Sequence, residues 1–309
     1  MTIRISITAG LALALLGACN MAPAPENYKD TASATVEAPS PKPVSEAFKS
    51  YWYAGVAEVS SYTLSQARYG ELRDGNAVLV YVTEPFNPEA QVKADRPGPN
   101  AVSVLKLNRT KKFLTGIYPY SIMSSIFYPV GDHMHALKTT TSVQEWCGHV
   151  FTQLNNRDAF EVEAFSYFES EGDQKLQLPK SILEDELWTR LRIRPEDLPT
   201  GSLQVIPSLE YLRLKHKPIK AYQAEIQLSP QGAERTLTLS YPELERRLEI
   251  RFEGAFPHTI LGWQETYPSG FGPGAEAMTT SAVLKKKLRS PYWSQNANEN
   301  LGLRDSLGL

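Results

Sequence analysis

From Tyr51 onward, apolar side chains recur at every second position, and this period constrains the fold more than any other feature of the chain. Successive side chains of an extended strand point to opposite faces, so such alternation builds strands buried on one side. Leu248, Ile250 and Phe252 alternate with Arg247, Glu249, Arg251 and Glu253. Leu237, Leu239 and Tyr241 alternate with Thr236, Thr238 and Ser240, and Tyr222, Ala224, Ile226 and Leu228 form a further apolar face. Tyr62 to Leu72, then Asp74-Gly75, then Val78 to Val82 reads as a hairpin turning on Asp-Gly. One helix is expected. Ser181-Ile182-Leu183-Glu184 has the spacing of a capping box, Leu183, Leu187 and Leu191 follow at four-residue intervals, and Pro195 ends the run. The expected fold is mainly β: a large curved antiparallel sheet, or open β-barrel-like sheet, with one short helix packed against it.

The start of the chain has a different character. Met1 to Arg4 carries one basic side chain, Ile5 to Leu16 is mostly apolar, and Leu16-Gly17-Ala18-Cys19 follows. A basic start, a short apolar core and small residues before a cut describe a secretory signal. The apolar run is shorter than the roughly 20 residues that a membrane-crossing helix needs. Leu16 to Cys19 resembles the lipobox of bacterial lipoproteins, which implies a cut before Cys19 and acyl chains such as palmitate on that residue. Two or three acyl chains hold a protein at a membrane durably, whereas one holds it marginally. No acidic residue follows Cys19 directly, which favours a periplasm-facing outer-membrane anchor. The expected organisation is a signal over 1–18, a lipidated cysteine and Pro/Ala-rich tether over 19–48, and a single β-rich domain over 49–309. The tether composition, as in Ala38-Pro39-Ser40-Pro41-Lys42-Pro43, buries too little to offset its ordering entropy.

Arg4 is the only charged residue of 1–18, so removing the signal takes the formal charge from −2 to −3. A near-neutral chain offers no electrostatic case for nucleic acid. With Cys19 acylated, Cys147 has no partner within the chain, and stability must come from packing rather than a disulfide.

Candidate chemistry is sparse. Asp132-His133-Met134-His135 puts two imidazoles on one side of an extended segment, but a metal needs three or four ligands, and only Asp132, His149 or a distant carboxylate could complete the set. Cys147 and His149 are also two apart, as a thiol and its activating base could be, yet no third, orienting group is identifiable. Ser269-Gly270-Phe271-Gly272-Pro273-Gly274 lacks the Lys-Ser/Thr of a phosphate loop and reads as a mobile loop. Lys285-Lys286-Lys287-Leu288-Arg289 reads as a solvated strand edge. No residue is assigned as catalytic, cofactor-binding or metal-binding; Cys19 is assigned as the lipidation site.

Several segments together resemble a family of Bacteroidota lipoproteins: Ala67-Arg68-Tyr69-Gly70-Glu71, Leu105 to Asn108 with Lys111-Lys112-Phe113, Gly116 to Met123, Gln144 to Gly148, and Ile260 to Trp263. That family is often catalogued as "septum formation inhibitor Maf". The Ser-x-Ser-Pro-Arg-Arg loop of the Maf nucleotide pyrophosphatases is absent, so the resemblance implies an exported lipoprotein and transfers no catalytic residue. The expected function is non-enzymatic: an anchored protein whose concave, mostly apolar cavity holds an apolar or envelope-derived ligand, or which engages a partner protein. The alternative is a periplasmic hydrolase or metal-dependent enzyme built on His133, His135, His149 and Cys147.

Overall fold

The computed structural model describes residues 43–131 and 135–309. Cys19, the expected signal and most of the expected tether lie outside these residues, as do Asp132, His133 and Met134.

The first element is α1 (Glu46–Trp52), N-capped by the Ser45 hydroxyl, which accepts from Phe48 N at 3.1 Å. It buries Phe48 and Trp52, so the fold begins inside the last residues expected to belong to the tether. The strands then follow as β1 (Ala57–Arg68), β2 (Glu71–Asn87), β3 (Val92–Lys93), β4 (Val102–Thr115), β5 (Tyr118–Pro129), β6 (Lys138–Glu145), β7 (Gly148–Asn156), β8 (Phe160–Phe165), β9 (Gln174–Leu178) and β10 (Ile182–Leu183). Helix α2 (Glu184–Ile193), β11 (Gly201–Ile206) and α3 (Leu209–Leu214) come next. The remainder is β12 (Tyr222–Leu228), β13 (Glu234–Tyr241), β14 (Arg246–Glu253), β15 (Ile260–Ser269), β16 (Glu276–Ser290) and α4 (Leu303–Leu307).

The sixteen strands of the described residues belong to one open sheet, ordered β10 to β16, then β1, β2 and β4 to β9, with β3 paired to β2. Every pairing is antiparallel except β10 with β11. Alternation in the sequence becomes alternation in burial: along β14, Leu248, Ile250 and Phe252 are buried while Arg247 is exposed. The buried faces meet in one apolar cluster that also contains Leu187, Trp188 and Leu191 of α2 and Leu209, Tyr211 and Leu212 of α3. A helix of ten residues touches side chains from β14 round to β5, and a sheet can offer so many strands to one helix only by curling about it. The mainly β, open curved sheet is therefore the observed fold, with four short α-helices among the described residues where the sequence pointed to one.

Three local expectations need correction. The β1–β2 hairpin turns at Tyr69-Gly70, both with positive φ (56° and 77°), and Asp74-Gly75 lies inside β2 opposite Ser65 and Leu64. Gly75 is needed there for close approach: a Cβ would sit 2.3 Å from Lys112 O and 2.9 Å from Phe113 Cβ. Helix α2 starts two residues later than its capping-box reading, with Leu183 as N-cap and Glu186 accepting from Leu183 N at 3.5 Å. Glu184 is unavailable for that task because it is bound to Arg246. The basic run 285–289 lies in β16, between β15 and β1, and not at a sheet edge. Lys285 donates to Gly308 O, Lys287 to Thr259 Oγ1 and Arg289 to Tyr51 O.

Candidate functional site

Of the residues of the enzyme alternative, His133 lies outside the described residues, and His135 is not brought together with Cys147 and His149. His135 is buried before β6, with Nδ1 3.2 Å from Glu186 Oε1 and its ring edge-on to Phe160. Cys147 and His149 are exposed at the β6–β7 turn, the other end of β6, roughly 25 Å away at the usual rise per strand residue. Cys147 is the free cysteine of the described residues. Its neighbour Glu145 accepts from Cys147 N at 2.7 Å, and this carboxylate pushes the thiol pKa up, the reverse of nucleophile activation. No group of three or more His, Cys, Asp or Glu able to hold a metal occurs among the described residues. The 269–274 loop is docked on the β1–β2 turn: Ser269 Oγ accepts from Gly70 N at 3.1 Å, and Phe271 stacks on Tyr69.

The centre of the curled sheet holds charges rather than an apolar cavity. Glu184, Asp185 and Glu186 open α2 and are all buried. Arg246 grips Glu184 with both terminal nitrogens (2.5 and 2.7 Å) and donates from Nε to Glu265 (2.7 Å), while Tyr241 OH donates to Glu184 at 2.8 Å. Asp185 accepts from Arg109 (3.1 Å) and from Leu209 N (3.1 Å). Glu210 accepts from Lys111 at 2.7 Å. Burial opposes the ionisation of Glu210, but Lys111 and Arg109 outweigh it and lower its pKa. In the last turn of α2, Arg192 forms a two-point pair with Glu58 (2.8 and 2.9 Å), which Tyr51 OH completes at 2.5 Å. The void among Arg109, Lys111, Glu184, Arg246 and Glu265 is about 20 Å³, room for about one water. Every carboxylate here is already held by a cation, so the cluster acts as a polar lock between helix and sheet.

Room for a ligand lies to the side of this lock. Between α3 and strands β7 and β8 is a cleft of about 310 Å³. Val150, Ala164, Leu209, Leu212 and Ile219 supply its apolar lining, with Thr152 and Gln174 as polar points. Val150 and Ala164 are buried, yet both fall outside the main core cluster, because the cleft takes the place of the neighbours they would otherwise have. The loop between β8 and β9 closes the mouth. Glu171 lies 2.5 Å from His216 Nδ1 and accepts from Arg213 (3.3 Å) and Ser166 Oγ (2.7 Å), and the Arg213 guanidinium rests on Phe168. Burial lowers the pKa of Arg213, with Glu171 opposing it. Glu171, Arg213, His216 and Ser166 thus engage one another at the mouth, while Lys217 stands exposed beside them.

These residues escaped the sequence reading, although a signal existed. Arg109 and Lys111 share the phase of Leu105, Leu107 and Phe113, and Arg246 shares that of Leu248 and Ile250. Cations at core-facing positions require buried acids, and Glu184-Asp185-Glu186 was the triplet available. Comparison with known proteins gives no match to a family model, a curated protein or a solved structure.

Proposed function

We propose that this chain is a non-enzymatic, lipid-anchored protein of the outer membrane that holds an apolar, envelope-derived ligand in the cleft between α3 and strands β7 and β8. The observation that carries this reading is the cleft itself: about 310 Å³, with an apolar wall and a mouth where Glu171 engages Arg213 and His216. Its volume falls in the range of small-molecule sites, about 300–1,000 Å³. Glu171, Arg213 and His216 engage one another at the mouth, so the apolar wall supplies most of the contact with a ligand. A ligand enters by parting Glu171 from Arg213 and His216, which frees the β8–β9 loop. Export and anchoring rest on the sequence alone, through the lipobox at Cys19.

The full chain titrated with 1-hexadecanol, a neutral long-chain probe, should bind it saturably. Ala164→Trp, which fills the cleft from the β8 wall, should weaken that binding at least about tenfold by removing most of the apolar burial. Equal affinity in a folded Ala164→Trp variant would sink the assignment of the cleft.

A further inference from the structure

The outer face of the sheet carries a second apolar cluster, separate from the main core. It consists of Ala57, Val59, Val82 and Leu307, with Val78, Val80, Leu288 and Leu309 against them. Residues 291–309 return over this patch and are fastened by Ser61 Oγ donating to Leu307 O and Lys285 Nζ donating to Gly308 O (2.6 Å). Between this segment and the strands runs a groove of about 390 Å³.

Strand register grades its floor from apolar to cationic. Leu288 pairs with Val59 and Val59 with Val80, so three apolar side chains cross β16, β1 and β2 in one row. Four residues earlier along β2, Asn76 pairs with Lys112 on β4. Arg304 of α4 adds a second cation to the lining, and Asn300 and Gln295 add polar groups. Both cations are exposed, and neither makes an ion pair with a carboxylate of the described residues. This is the reverse of the cleft, where Glu171 already occupies Arg213 and His216. An apolar trough leading to two unpartnered cations matches one acyl chain with a negative head.

We propose that this outer groove is a second binding site, independent of the cleft, for an anionic single-chain amphiphile. The acyl chain lies along Val78, Val80, Val59 and Leu288, beneath Leu303 and Leu307, and the head group sits between Lys112 and Arg304.

The test is photolabelling of the full chain with hexadecanoate bearing a diazirine near its methyl end, with labelled peptides located by mass spectrometry. Label is expected on β1, β2, β16 and residues 291–309. The double variant Lys112→Glu with Arg304→Glu should reduce it roughly tenfold at low ionic strength, the scale that two exposed ion pairs supply. The methyl ester of the same probe should label the groove of the unaltered chain roughly tenfold less, by the same reasoning. Absence of label from the groove, whatever the cleft takes up, would overturn the site, and equal labelling of the groove by acid and ester would overturn its selectivity for anions.

Discussion

Glu58 shows how single residues set the conditions under which this molecule holds together. Burial opposes its ionisation, but the guanidinium of Arg192 outweighs that and holds the carboxyl below its usual range. A folded-state pKa below the unfolded value adds stability above the unfolded pKa, and this contribution is lost as pH falls through the folded one. Glu58→Gln leaves Arg192 buried without its counter-charge and should cost about 3–5 kcal/mol near pH 7. The penalty should shrink as urea midpoints are measured at successively lower pH below about 4, where the unaltered carboxylate also takes up a proton. A penalty that stays constant from pH 7 to 3 would contradict the pairing. His133, His135, Cys147 and His149 attract attention by type, whereas Arg109, Lys111 and Arg246 are ordinary by type and distinctive only by phase. Phase becomes informative once the strand's buried side is known, and the turn that fixes a strand's ends is where single-sequence reading slipped.

Among the elements, the β1–β2 hairpin is the clearest case of that slip. Asp-Gly is a strong turn signal, yet Tyr69-Gly70 forms the turn, and Gly75 serves strand contact. Local turn preference is worth less than the match of eleven paired residues along β1 and β2. Gly75→Ala should accordingly cost at least about 2 kcal/mol, as backbone would have to move off Lys112 O. Gly116→Ala, at φ +59° with open space around it, should cost only about 1 kcal/mol. Urea midpoints of the two variants decide the matter, and equal costs would show that the β2–β4 approach is looser than described. Helix α2 was legible from Leu183, Leu187 and Leu191, which are all buried. Its true start was not, because the serine-to-glutamate spacing does not reveal that Arg246 claims Glu184. Helices α1, α3 and α4 are too short for a helical period to show.

For the whole molecule, the two-residue period was enough to indicate a mainly β fold with a large curled sheet, since so many one-sided strands must share a buried interior. What it could not give was the content of the curl. An apolar period predicts an apolar interior, but the interior is filled by α2, α3 and an ionic lock, and the free volume is displaced to the seam beside α3. The proposed lipid anchor at Cys19 belongs to this scale as well. Cys19→Ser should move the chain from the membrane to the soluble fraction or leave its signal uncleaved, as read by fractionation and intact mass; unchanged membrane attachment would refute it. The central claim is that the seam cleft carries a ligand, and native mass spectrometry of the full chain extracted gently from membranes tests it most directly. The unaltered chain should retain an apolar molecule of defined mass that a folded Ala164→Trp variant lacks. Identical ligand-free spectra, or the same adduct on both proteins, would contradict the account.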